Sequence, residues 1–159
     1  MLEDFFFTVA NLKKIQRKGW KEKLNLATPE SVADHTYSMT LMSMIISELQ
    51  GLNTTKVVKM ALLHDLAESN IGDFTPEEIS REKKLELENN AMKTILDKLP
   101  NNLKENYQDI WNEFLKDETK EAIFVHEMDK FEMAFQAIHY LDKGFSKEQI
   151  QSFIKSANN

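Results

Sequence analysis

Apolar residues recur every three or four positions along most of this chain, the spacing of helices that bury one face. Glycines and prolines fall between these stretches, where helices begin and end. No stretch alternates regularly between apolar and polar residues, so the sequence predicts no strands. The pattern therefore predicts an all-α fold, a compact bundle of seven or eight helices.

Local signals place the boundaries of several predicted helices. The first helix runs from about Glu3 to Lys18 and ends at Gly19. Thr28 and the following proline resemble the N-cap and first position of the second helix, which ends before Gly51. Two further segments have the pattern of a capping box, a short helix after Thr75-Pro76-Glu77-Glu78 and a terminal helix after Ser146-Lys147-Glu148-Gln149.

Composition narrows the class of protein. A chain of 159 residues without an internal repeat or linker is predicted to form a single domain, residues 1–159. It has no cysteine, which excludes thiolate metal sites and cysteine nucleophiles. The net charge of −6 disfavours a nucleic acid polymer as partner. No apolar run is long enough for a membrane span, and the acidic start is unlike a signal peptide, so we expect a cytoplasmic protein.

Four ionisable residues lie in segments that are otherwise apolar. They are His35 in the second predicted helix, the pair His64-Asp65 at the end of the third, and Asp129 in a long apolar helix. A bare imidazole or carboxylate is costly to bury. Two imidazoles and two carboxylates suit a divalent transition metal, so one shared cation would account for all four residues. The alternatives are hydrogen-bonded core histidines and paired or capping aspartates.

The ordered pattern of these residues resembles the HD superfamily of metal-dependent phosphohydrolases. The resemblance rests on Glu30-Ser31-Val32-Ala33-Asp34-His35, then on Leu62-Leu63-His64-Asp65-Leu66-Ala67-Glu68 with Ile71-Gly72-Asp73 after it, and finally on Asp129. More narrowly, it is similar to the branch that contains the small 5′-deoxynucleotidases. This resemblance implies the HD-domain fold and the hydrolysis of deoxyribonucleoside 5′-monophosphates to deoxynucleoside and phosphate.

The resemblance also assigns roles to residues. It implies that His35, His64, Asp65 and Asp129 bind one divalent transition metal ion, which could be Mn, Co, Fe, Ni or Zn. It makes Glu68 and Asp73 catalytic, in orienting or activating the attacking water and protonating the leaving oxygen. Spacing supports Glu68 independently, because it stands four residues after His64 on the same helical face. The two further histidines, 126 and 139, are predicted to be surface or packing residues.

A phosphate dianion also needs a positive partner, and the segment Gln16-Arg17-Lys18-Gly19-Trp20 is the candidate. By resemblance, Arg17 contacts the phosphate and Trp20 lies against the sugar. Lys18 and Lys21 are alternative cations. A solvated basic edge with a packed tryptophan is the competing interpretation of this segment.

Two other functions stay open. The chain could hydrolyse another nucleotide phosphoester, such as a dNTP, a cyclic dinucleotide or a signalling nucleotide. It could instead be a non-catalytic helical module with a structural metal, although such a site needs neither Glu68 nor Asp73. The expected partner is a small nucleotide substrate. Phe5-Phe6-Phe7 could form the interface of a homodimer, and a role in the core is an equal alternative.

Overall fold

The computed structural model describes residues 2–157, apart from the side chains of residues 152 and 154–157. Within this part the chain is helical and contains no strand, only an isolated bridge between Gln16 and Ser31. The α-helices are α1 Leu2–Asn11, α2 Lys18–Leu24, α3 Val32–Gln50, α4 Thr54–Leu63, α5 Glu68–Ile71, α6 Arg81–Leu96, α7 Asn101–Lys116, α8 Lys120–Asp142 and α9 Lys147–Ala157. A 3-10 turn, Leu12–Lys14, follows α1. The predicted all-α class is confirmed, with eight longer helices and the single turn α5 among the described residues.

Two hydrophobic clusters hold these helices together. The larger one contains the inner faces of α3, α4, α6, α7 and the first half of α8. The smaller one joins α2, the end of α8 and α9 around Trp20, Tyr140 and Phe153. Helix α8 contributes to both, and it packs against α3, α4, α7 and α9. This central position explains the apolar residues on the inner faces of α8, whereas Ile123, Phe131, Phe135 and Ile138 on the same helix are exposed.

The predicted first helix is wrong beyond its first three turns. The chain becomes extended after Lys14, because the backbone N–H of Arg17 donates to the carbonyl of Glu30 and that of Val32 donates to Ile15. These two hydrogen bonds are 3.0 and 2.8 Å long. Gly19 does not end a helix but lies inside α2. The pairing matters for function because it carries Arg17 to the start of α3.

Two other predicted starts are also wrong. Helix α3 begins after Ser31, and not after Thr28, because residues near Glu30 take part in the extended pairing. Ser31 and Asp34 form the capping box instead, with backbone-to-side-chain hydrogen bonds of 3.1 and 2.9 Å. The segment after Thr75 forms a turn and no helix, although its N–H does donate to Glu78.

Other boundaries agree with the sequence. Asn53 caps α4, Thr119 caps α8, and Ser146 with Gln149 forms the reciprocal pair that opens α9. Ile154, which the pattern places on the apolar face of α9, lies outside the described side chains. None of the helices described is long and apolar enough to cross a membrane.

Replacing Ser31 by alanine is expected to lower the free energy of unfolding by about 1 kcal/mol, because α3 loses its N-terminal cap. Urea unfolding followed by circular dichroism measures the change. Thr55→Ala, at an exposed position in the first turn of α4, is the matched control. Equal midpoints for the two variants would contradict this account of the α3 boundary.

Candidate metal centre

The four predicted ligand residues come together where α3, the end of α4 and α8 meet. The Nε2 atom of His35 lies 3.1 Å from Oδ1 of Asp129 and 3.8 Å from Oδ2 of Asp65. The Nε2 atom of His64 lies 3.1 Å from the same oxygen of Asp65. His35, His64 and Asp129 form a group whose ligand atoms are all within 4.8 Å of one another. This is the spread expected of donors that surround one ion at metal–ligand distances of about 2 Å.

Three of the donor atoms at this point have no hydrogen-bond partner. Nε2 of His35, Nε2 of His64 and Oδ2 of Asp65 are buried and make no hydrogen bond, despite their closeness. Buried polar atoms are nearly always hydrogen-bonded, so such a cluster calls for a missing partner such as an ion. Two neutral imidazole nitrogens and two carboxylate oxygens match the donor set of a divalent transition metal. The residues present therefore fit a metal ion.

A contact at Nδ1 orients each of the two imidazole rings. Nδ1 of His64 donates to the carbonyl oxygen of Ala61 at 2.7 Å, and Nδ1 of His35 lies 2.5 Å from Oε2 of Glu132. A hydrogen bond at Nδ1 fixes the tautomer that leaves the Nε2 lone pair free for a metal. Glu132 was missed by the sequence reasoning. The available signal was a second acid three residues after Asp129, hence on the same face of α8.

The electrostatics of the centre balance imidazoles against carboxylates. Burial and the charge of Arg17 lower the pKa of His35, but the contacts with Asp129 and Glu132 outweigh them and raise this pKa to about 10. Burial alone would raise the pKa of Asp65, but His64, His35 and Arg17 hold it far below its usual value. Only a neutral imidazole can bind a metal, so a metal ion would compete with a proton for His35.

Arg17 borders the centre on the side of the extended segment. Its guanidinium lies 3.6 Å from Oδ2 of Asp65 and 3.9 Å from Oε1 of Glu30. Glu30 accepts a 3.0 Å hydrogen bond from the Trp20 indole. Burial, followed by the charge of Glu132, raises the pKa of Glu30 to about 7. The sequence pattern indicated Arg17 but not that Glu30 would hold it.

The alternative cations point elsewhere. The Lys18 ammonium makes a 2.6 Å ion pair with Glu78. Lys21 is exposed, and its ammonium lies 3.4 Å from the side-chain oxygen of Gln16. Of the three candidate cations, Arg17 is the one whose side chain contacts a predicted metal ligand.

Glu68 is buried in the first turn of α5, one helical turn beyond His64. Its Oε1 atom lies 3.4 Å from the ammonium of Lys84, whereas Oε2 is buried without a hydrogen-bond partner. Burial, followed by the charges of Asp65 and Asp73, raises the pKa of the Glu68 carboxyl well above its usual value. Lys84, on α6, is a second residue that the sequence reasoning missed, because its segment has the charge pattern of an ordinary solvated helix.

Asp73 follows Gly72, whose φ of 80° belongs to the left-handed half of the backbone map that favours glycine. One carboxylate oxygen of Asp73 accepts the backbone N–H of Lys18 at 2.7 Å. The charge of Asp73 contributes to the raised pKa values of Arg17 and Glu68, so its carboxylate lies near both. The aspartate thus ties the start of α2 to the α5 end of the centre.

Trp20 does not lie open to the centre. It is 1% exposed, stacks on Phe153 at a centroid distance of 3.8 Å, and contacts Tyr140 edge to face. Trp20 nevertheless lines a small pocket together with Arg17 and Asp73. The predicted contact with a sugar stays a prediction.

The remaining two histidines have the packing and surface positions predicted for them. His126 stacks on Phe114 and donates to its carbonyl oxygen at 3.0 Å, and His139 is exposed.

The centre opens into a cleft between α4, α6, α7 and α8. The cleft has a volume of about 390 Å³ and includes His64, Asp65 and Asp129 in its wall. Lys84, Glu88 and Phe114 also line the cleft, and the Phe114 ring packs edge to face against His64. A small molecule that enters this cleft would reach the predicted metal ligands from the solvent side.

Comparison with known proteins identifies similar chains. The HD domain family model matches residues 9–159. The 5′-deoxynucleotidase HDDC2 of Dictyostelium discoideum is 39% identical over 164 residues, which covers 96% of this chain and 86% of that relative. The 5′-deoxynucleotidase HDDC2 of Homo sapiens is 38% identical over 156 residues, which covers 98% of this chain and 76% of that relative. These matches confirm the resemblance predicted from the histidine and aspartate pattern.

Solved structures have the same fold. A conserved hypothetical protein from Pyrococcus furiosus aligns with a TM-score of 0.80 and 28% identity over 96% of this chain and 86% of its own. An HD-domain phosphohydrolase from Listeria innocua aligns with a TM-score of 0.73 over 98% of this chain and 77% of its own. The latter is 23% identical, so it is compared for its fold alone.

Replacing Glu132 by glutamine is expected to weaken the binding of Mn²⁺ by about 10- to 100-fold, because His35 loses the carboxylate that orients its ring. Isothermal titration calorimetry of the metal-stripped protein measures the affinity. Glu127→Gln, at an exposed position on the same helix, is the control. If both variants bind Mn²⁺ as the wild type does, Glu132 does not support the metal centre.

Proposed function

This chain belongs to the HD domain family, and on that premise we propose that it is a metal-dependent 5′-deoxynucleotidase. It hydrolyses deoxyribonucleoside 5′-monophosphates to deoxynucleoside and phosphate. The relatives that carry this activity in their names match nearly the whole chain. The observation that carries the proposal is the convergence of two partnerless imidazole nitrogens and two aspartates at the wall of an open cleft.

His35, His64, Asp65 and Asp129 would hold one divalent transition metal ion. Their mixed nitrogen and oxygen donors are compatible with Mn, Co, Fe, Ni or Zn. Bound there, the ion would polarise the phosphoryl group and lower the pKa of a water molecule. The protein residues themselves supply the remaining requirements of the reaction, which are positioning, charge neutralisation and proton transfer.

Glu68 and Asp73 supply the proton transfer. Hydrolysis adds water across the bond between phosphorus and the 5′-oxygen, so one proton must leave the water and one must reach the departing oxygen. Oε2 of Glu68 is free of protein partners and can accept or donate such a proton. Asp73 has one oxygen committed to the backbone of Lys18, which leaves its other oxygen to orient water.

Arg17 binds the phosphate of the substrate. Its guanidinium is charged at any physiological pH and has more N–H donors than its contacts with Asp65 and Glu30 use. It lies beside a metal ligand, where a phosphate oxygen on the same ion would also lie. Arginine suits this task because its planar fork matches two phosphate oxygens.

The other predicted properties stay predictions. Phe6 and Phe7 are exposed, as a homodimer through α1 would require, but their exposure does not identify a partner. The cytoplasmic location stays an expectation from the sequence. A dNTP, a cyclic dinucleotide or a signalling nucleotide remains the alternative class of substrate.

The wild-type protein is expected to release phosphate from deoxynucleoside monophosphates when a single metal is added back after chelation. Asp129→Ala is expected to lower the rate at least about 1,000-fold, since a metal ion contributes several kcal/mol to such a reaction. A colorimetric phosphate assay on ribo and deoxy mono-, di- and triphosphates measures both. Activity that survives full chelation would contradict the metal mechanism, and activity confined to triphosphates would contradict the substrate.

Arg17→Gln is expected to lower kcat/KM about 100-fold, mainly through a higher KM, because the phosphate loses its charged partner. Lys18→Gln is the control, because the Lys18 ammonium is paired with Glu78. Steady-state phosphate release from dAMP measures both variants. Loss of activity in Lys18→Gln together with normal kinetics in Arg17→Gln would contradict the proposal, because it would identify Lys18 and not Arg17 as the cation that contacts the phosphate.

A further inference from the structure

We propose that Lys84 is a positioning residue for catalysis, which holds Oε1 of Glu68 so that Oε2 is the oxygen that exchanges protons in the reaction. This inference rests on the proposed function, because it assigns a partner to a residue of the proposed reaction. Lys84 lies outside every motif that carries the family resemblance.

The first argument is the asymmetry of the Glu68 carboxyl group. Glu68 is 2% exposed, and one of its oxygens meets the Lys84 ammonium at 3.4 Å. The other oxygen is buried and has no hydrogen-bond partner. Among the described residues, Lys84 is the only cation within ion-pair distance of Glu68. One side of the carboxyl is therefore anchored while the other remains available.

The second argument is the chemistry of lysine. An ammonium group has three donors and no acceptor, so the oxygen that it contacts must act as an acceptor. A proton on Glu68 then belongs on Oε2, the oxygen without a partner. An arginine would be different, because its fork can engage both carboxylate oxygens at once. Lysine is thus the cation that can anchor this carboxyl and still leave one oxygen free.

The third argument is that Lys84 is itself held in place. Its ammonium also lies 3.5 Å from Oε1 of Glu88, one turn further along α6. Lys84 is partly buried, and the charges of Glu68, Asp65 and Glu88 raise the pKa of its ammonium against the effect of burial. The neighbouring Lys83, by contrast, pairs with Glu86 in solvent. α5 packs against α6, so this ion pair links the two helices beside the cleft.

The test uses the full chain loaded with one metal and dAMP as substrate. Lys84→Met is expected to lower kcat about 10- to 100-fold with KM changed less than about threefold, because the anchor acts on the chemical step and not on phosphate binding. Lys83→Gln is expected to keep the wild-type kinetics. Metal content by mass spectrometry is expected to stay at one ion per chain in both variants. An inactive wild type would refute the proposed function, whereas an active wild type with an equally active Lys84→Met would refute this inference alone.

A double-mutant cycle tests whether Lys84 acts through Glu68. In the Glu68→Gln background, Lys84→Met is expected to cause no further loss of kcat, because the group that it positions is gone. Independent losses that multiply would overturn the proposal, and so would loss of the metal from Lys84→Met.

If Glu68→Gln is too slow to measure, Glu88→Gln is the second variant. It is expected to lower kcat about three- to tenfold at constant KM, since the ammonium loses one of its two carboxylate partners, and an unchanged kcat would also overturn the proposal.

Discussion

The fixed direction of two buried imidazole rings is the constraint on which the rest of this site depends. Each ring is held at Nδ1, one by the carbonyl of Ala61 and the other by Glu132. Each ring therefore directs an Nε2 atom without a hydrogen-bond partner to the same point, where the carboxylates of Asp65 and Asp129 also lie. Leaving such atoms without partners in a protein interior is costly. A cation at this point would convert that cost into binding energy, which is why the arrangement favours a metal centre over a hydrogen-bonded core.

The fold supplies this geometry by placing two carboxylates on one face of helix α8. α8 packs against four other helices through apolar residues, yet it also carries Asp129 and Glu132 three residues apart. One of the two carboxylates faces the metal position, and the other contacts the far side of His35. The short extended pairing before α3 then carries Arg17 to the same place. A helix in that segment would have satisfied local propensity but would have moved this arginine away from Asp65.

Periodicity was sufficient to predict the class of fold, because long amphipathic segments bury one face whatever their neighbours are. It also identified His35, His64 and Asp129 as anomalies, since their charge contradicts their surroundings. The residues that it missed act through tertiary contacts. Glu30 and Lys84 have nothing unusual in their own segments, and the only local signal for Glu132 is its spacing from Asp129. The packing of distant helices shows what these three residues touch. The error in the predicted C-terminal end of the first helix has the same origin. Two backbone hydrogen bonds, from Arg17 to Glu30 and from Val32 to Ile15, override the local helical preference.

X-ray absorption at the metal edge, on the wild type reconstituted with one Mn²⁺ per chain, tests the central claim most directly. The account predicts a single ion with two imidazole nitrogens and carboxylate oxygens as ligands, and the loss of one imidazole contribution in His35→Ala and in His64→Ala. A spectrum of oxygen ligands only, or one that neither substitution changes, would contradict it.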